Sequence, residues 1–186
     1  MNGLEEAIAK ARKADAEVAQ ILTTQAVCYA NLGFASKALS AFRRVVDIQN
    51  MNVTVGIHTG VACGAFQRIE ELANQAELAK MDLSGIKNLP KWRAAAAAMS
   101  HQGVTDDEYA RVVDLAGEVI RSRKLLWQDK APGVVANGLD CPVVLTMRVD
   151  VTPTEAAQMS LEFADKMIDA DLHLMPLLVA FVGTAQ

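Results

Sequence analysis

The sequence predicts a mainly α protein of the α+β kind: a helical bundle of about five helices over residues 1–128, followed by a small C-terminal β-α-β lobe over 129–186 that packs on it as one structural unit. Three observations predict this. Apolar residues recur at steps of three and four through most of the first 126 positions. The step changes to two at Val143, Leu145, Met147, Val149 and Val151, and Thr152-Pro153-Thr154-Glu155 then opens a further helix ahead of the apolar run 177–182. With 186 residues, 52% apolar and only 5% aromatic, the chain suffices for one well-packed domain with an interior of Ala, Val, Leu, Ile and Met.

Asn2 and Glu5 have the spacing of a helix cap. Leu4, Ala7, Ala11, Ala14, Val18, Ile21, Cys28 and Leu32 then alternate by threes and fours, with Gln25 the polar member, as a heptad-like seam on a helix of about eight turns. Ile8, Leu22 and Tyr29 widen it. Half of its apolar members are small, which predicts close packing against another helix of this chain or of a copy. Gly33 ends the run where a left-handed residue is expected. A second helix over about 36–50 turns Leu39, Phe42, Val45 and Val46 inward, and the two make an αα-hairpin.

Leu22, Ala26, Tyr29, Gly33, Ala38 and Phe42 resemble the consensus positions of one tetratricopeptide repeat, over residues of about 18–49. The resemblance implies a helix pair of the kind that stacks into peptide-binding grooves, and with it an adaptor role. A second repeat is not expected at the next position, because a glycine-rich segment with no corresponding turn after it stands there.

That segment, residues 48–67, is the longest stretch without a formal charge, and Gly56, Gly60 and Gly64 recur in it at intervals of four. On one helix over about 53–81 they form a bare stripe, costing about 1 kcal/mol per glycine against alanine unless a close helix offsets it. Small residues at this spacing also mediate contacts in bilayers. However, Gln49, Asn50, Asn52, Thr54, His58, Thr59 and Gln67 interrupt the run, so a buried helix of a bundle is expected and not a membrane span.

After a break at Asp82 to Leu89, Pro90 starts a helix through the alanine run 94–98, anchored by Trp92 and Met99. Thr105 to Glu108 is a capping box for a helix reaching about Trp127, with Tyr109, Val112, Val113, Ala116, Val119, Ile120 and Leu126 inward and Arg121, Arg123 and Lys124 complementing its dipole. Lys130 to Gly133 and Asn137-Gly138 are turn chemistry, and Val134-Val135 has the composition of a short third strand. In the next helix Ala156, Met159, Phe163, Met167 and Ala170 line the apolar face. The run 177–182 reads as a strand buried on both sides, although so short a segment also suits a short helix. Two or three strands leave sheet edges unpaired, which predicts a covering helix or a second subunit.

A net charge of −4 argues against sequence-independent nucleic-acid binding, which needs clustered Lys and Arg, and no nucleic-acid partner is expected. Cys28, Cys63 and Cys141 are widely spaced and odd in number, and the N-terminus is acidic, so a cytoplasmic protein without a disulfide framework is expected. Phosphate loops, dinucleotide fingerprints, nucleophile elbows and paired-cysteine metal motifs do not occur in the sequence, and no cofactor is expected. The expected function is a non-catalytic interaction or scaffold protein that binds another protein or itself as a homo-oligomer. Gly56, Gly60, Gly64, Tyr29 and Phe42 are its candidate interaction residues. The alternative is a small enzyme or metal-binding protein built on Asp150, Asp169, Asp171 and His173, with Glu162 and Asp165 on the same helix side as Asp169. His58 and Cys63 are five apart and do not share a helix side, so His58 is expected to be an interior, hydrogen-bonded histidine.

Overall fold

The computed structural model describes residues 2–48, 52–126, 133–140 and 142–184, with backbone alone over 2–12. Its elements run α1 (Asn2–Asn31), α2 (Ala35–Val46), α3 (Val53–Ala62), α4 (Phe66–Leu78), α5 (Leu89–His101), α6 (Asp106–Ser122), β1 (Gly133–Val135), β2 (Val143–Val149), α7 (Pro153–Asp169) and β3 (Leu177–Gly183). The protein is therefore mainly α with a small sheet, as its apolar periods predict. The Asn2–Glu5 cap, the side chains of Leu4, Ala7, Ile8 and Ala11, the turn residues Lys130 to Pro132, Trp127 and Cys141 lie outside the described residues.

The expected single helix over 53–81 is two helices. Gly64 does not continue a stripe; it sits at φ +72° just past α3, and the Ala65 amide donates back to Gly60 O at 2.9 Å. This closes the helix with the six-to-one bond that a left-handed glycine permits. The same stop recurs twice. Gly33 (φ +69°) ends α1 with Phe34 N donating to Tyr29 O at 2.9 Å, and Gly103 (φ +70°) ends α5 with Val104 N donating to Met99 O at 2.8 Å. The described residues thus make three glycine-stopped helix pairs, α1-α2, α3-α4 and α5-α6; the stops at Gly33 and near Gly103 were expected, and the one at Gly64 was not. They do not stack as a solenoid: α6 packs on α2, while α5 packs on α4.

α6 organises the bundle by completing other helices. Phe34 and Ala65, at the N-caps of α2 and α4, offer no side-chain acceptor. Asp114 supplies one for α2, accepting from Ser36 N at 3.2 Å, and Asp106 does so for α4, accepting from Gln67 N at 3.0 Å and Arg68 N at 3.3 Å. At the other end Arg121 donates to the carbonyls of Leu32 and Gly33, so it caps α1, and its guanidinium lies 4.0 Å from the Phe34 ring centroid. The basic residues there are bridges between helices, not simply dipole compensation: Arg123 pairs with Glu162 of α7. Close approach of α6 to the α1-α2 turn requires Gly117, whose position faces the backbone of Gly33. α6 ends at Ser122, short of the expected Trp127, because Lys124 takes the left-handed conformation (φ +57°); Leu126, expected inside, is exposed.

The long seam expected on α1 faces solvent where it is described. Val18, Ile21 (66% exposed), Cys28 and Leu32 are exposed, and the packed face is Leu22, Ala26, Ala30 and, in part, Tyr29. Heptad spacing selects a stripe, but α2 and α3, the helices that contact α1, leave that stripe exposed while Leu22, Ala26 and Ala30 beside it are buried.

β2 pairs antiparallel with β1 (Val135↔Val144) and parallel with β3 (Leu145↔Val179), giving the order β1-β2-β3. One face carries Val143, Leu145, Met147 and Val149 beside Leu177, Val179 and Phe181, and α7 covers β3 from that side, Phe163 meeting Phe181 edge-on at 6.3 Å. A single apolar core runs from Ala26 and Phe42 through Met99 and Tyr109 to Met147 and Phe181, so bundle and lobe share one interior.

Candidate interaction surface

The residues expected to meet a partner are mostly interior. Phe42 is fully buried, and Gly56, Gly60 and Gly64 are buried with it. A Cβ on Gly60 would stand 2.8 Å from Ile69 Cγ1 and 2.9 Å from Phe42 Cζ. A Cβ on Gly64 would stand 2.6 Å from Tyr109 Cδ1. Gly60 and Gly64 therefore admit side chains of this chain's own core, where the backbone of another helix was expected, and buried as they are the three glycines do not form an exposed stripe. Tyr29 alone of the five remains partly exposed, edge-on to Phe34 at 6.4 Å.

The acidic candidates do not converge. Asp171 is the left-handed residue (φ +55°) that stops α7, with Leu172 N donating to Met167 O at 2.8 Å, and its side chain is 96% exposed. His173 Nδ1 lies 3.9 Å from Asp171 Oδ1. Glu162 is held by Arg123, and Lys166, next to Asp165, by Glu118 at 3.1 Å, so this stretch of α7 fastens it to α6. Among the described residues no three His, Cys, Asp or Glu side chains stand close enough to hold a metal ion.

No nucleophile pair forms at His58 and Cys63 either. His58 is exposed, contrary to the interior position expected, and meets Trp92 edge-on at 5.7 Å; Cys63 is buried, which pushes its thiol up to about 12. A cleft of about 370 Å³ is lined by Arg43, Gln67, Arg68, Glu71 and Asp106, but its charges serve the fold. Arg43 forks onto Asp107 at 2.8 and 2.7 Å and holds that carboxyl below its ordinary value. Asp106 caps α4; burial raises its affinity for a proton, and the two amides it accepts from work against that.

Besides the exposed Val18, Ile21 and Leu32 of α1, a second exposed apolar surface lies in the lobe. The far face of the sheet carries Val135, Val144, Leu178 (54% exposed), Ala180 and Val182 (42%), with Thr146 and Arg148. The run 177–182, expected to be buried on both sides, is buried on one. Among the described residues no strand pairs with the outer edge of β3, and its seven residues, Leu-Leu-Val-Ala-Phe-Val-Gly, include no charge or proline to guard against strand addition. α7, which lies over β3, exposes Ala157, Leu161, Ala164 and Ile168 at steps of four, three and four. This seam was legible beside the buried series Ala156, Met159, Phe163 and Met167, because both repeat with the helical period.

Compared with protein-family models, curated proteins and solved structures, the chain matches none. No helix among the described residues is long and apolar enough to cross a membrane.

Proposed function

We propose that this is a non-catalytic interaction protein that associates with itself, or with another protein, through its C-terminal lobe. One observation carries the reading: an uncharged seven-residue strand edge lies beside an apolar sheet face that none of the described helices covers. The helical bundle is the scaffold that holds this lobe, its polar groups being engaged in caps and ion pairs between helices. Placement in the cytoplasm belongs to the same proposal and rests on the absence of a close cysteine pair in the sequence.

Light scattering across a concentration series, with and without chelator, tests it. The expected result is a mass above the 20.0 kDa of one chain, rising with concentration and indifferent to chelator. A mass of one chain throughout refutes self-association, and a state that changes with chelator returns attention to Asp169, Asp171 and His173.

A further inference from the structure

Resting on that reading, we infer that the partner is a second copy of this chain, with β3 pairing antiparallel to its counterpart about a two-fold axis through Ala180 and the α7 seams packing across the same axis. The backbone fixes which groups are available. Pro176 O accepts from Val143 N at 3.0 Å and Thr184 N donates to Val149 O at 3.0 Å, so residues 176 and 184 turn their polar groups to β2. Alternation along the strand gives the same direction to 178, 180 and 182, and turns the N–H and C=O groups of Leu177, Val179, Phe181 and Gly183 to the open edge. Phe181 N agrees: it reaches only Ser160 Oγ, at 3.5 Å, on the flank of α7 above that edge.

These four outward residues are symmetric about Ala180. A two-fold there sets Leu177 opposite Gly183 and Val179 opposite Phe181 as hydrogen-bonded pairs, each exchanging both N–H···O bonds, and every outward polar group of the strand finds a partner. The intervening pairs are Ala180 with itself and Leu178 with Val182, on the uncovered face, where non-hydrogen-bonded neighbours bring side chains closest. Both members of the latter pair are exposed in the single chain and apolar. No like charges meet.

The helix above points the same way. With Phe163 at the centre of its buried side, Glu162 and Lys166 turn to α6 on one flank, and Ser160 turns to the β3 edge on the other. Ala157, Leu161 (69% exposed), Ala164 and Ile168 (59%) fall on that second flank. The two-fold that joins the strands brings this seam toward its copy, and alternating Ala with Leu or Ile leaves room for close helix approach. A footprint of about 25 Å by about 20 Å, from a 17-residue helix over a strand, gives roughly 500 Å² per chain, at the lower bound for a specific interface.

The test is cross-linking in a chain whose Cys28 and Cys141 are replaced by serine. Cα atoms of a non-hydrogen-bonded pair stand about 4.5 Å apart, within disulfide range. Oxidation of the Ala180→Cys variant is expected to give a covalent dimer, whereas Val135→Cys, on the same face but at β1, gives none. Leu161→Glu with Ile168→Glu, both at exposed positions, is expected to raise the dissociation constant of the dimer at least about ten-fold with an unchanged circular-dichroism spectrum. A protein that self-associates by light scattering but shows neither effect overturns this interface and leaves self-association standing. A protein of single-chain mass at every concentration overturns both.

Discussion

Gly117→Ala tests the claim that α6 organises the bundle by close approach to the α1-α2 turn. In an exposed helix interior this change stabilises by about 1 kcal/mol, since alanine has the better propensity. Here the new methyl group would land inside the contact radius of Gly33 O, 2.7 Å from Arg121 Nη1 and 2.8 Å from Gly33 C. Neither neighbour yields cheaply: Gly33 is fixed at φ +69° by its stop of α1, and Arg121 is bonded to that carbonyl. Moving the helices apart also separates Asp114 from Ser36 N and Arg121 from the Phe34 ring. Overpacking of this kind costs roughly 3 kcal/mol, which leaves a net loss of about 2 kcal/mol after the propensity gain. For a chain of this size that is a fall in Tm of about 4–8 °C, read by circular dichroism on heating. Gly85→Ala is the control, since a Cβ there meets nothing within 4 Å; it is expected to leave Tm unchanged or slightly raised. A Gly117→Ala protein with unchanged or raised Tm refutes the close approach.

Asp106→Ala leaves two amides at the start of α4 without an acceptor and is expected to cost about 2 kcal/mol, with Asp106→Asn costing less; a common denaturation midpoint for all three proteins contradicts the capping role. Tyr109→Phe removes a hydroxyl that is buried without a hydrogen-bond partner, so stability is expected to stay within about 0.5 kcal/mol of the parent or rise, and a loss above about 1 kcal/mol in urea unfolding shows that the hydroxyl has a partner. Acid is expected to lower Tm progressively. Glu108 and Glu155 accept from the amides of their own capping boxes and Asp107 from Arg43, so all three protonate less readily folded than unfolded. Their contribution is present above the unfolded carboxylate range and is lost as pH falls through the lower folded values. Asp106, shifted upward by burial, acts in the opposite direction but is one group against five, since Glu77 bonded to Arg93 and Asp82 accepting from Ser84 are lowered as well. A Tm that is flat from about pH 6 to about pH 3 contradicts the balance.

How far each element was legible follows from whether its cause is local. The two capping boxes, Thr105 with Glu108 and Thr152 with Glu155, stand where their spacing placed them, since a cap needs only the first turn of its own helix. β2 was legible from alternation because one of its faces is buried and the other is not. The break at Gly64 was not legible: glycines four apart read as a stripe on one helix, and the left-handed stop is distinguished from it by the Tyr109 ring that takes the space of a Cβ, from a helix 45 positions later. The same reason hid the sister turn that makes α3-α4 a counterpart of α1-α2.

What the sequence determined by itself was class and punctuation: a mainly helical chain, a change of period near position 143, a β-α-β crossover, and the residue types that start and stop helices. Tertiary structure alone decided which of two apolar stripes a helix buries. On α1 it buries Leu22, Ala26 and Ala30 and leaves Val18 and Ile21 outside; on α7 it buries Met159 and Phe163 and leaves Leu161 and Ile168 outside. The periodicity is the same for both stripes of each helix. The choice belongs to whichever helix or sheet arrives from elsewhere in the chain, and the stripe not chosen in α7, beside an uncharged strand edge, is where the candidate interface arises.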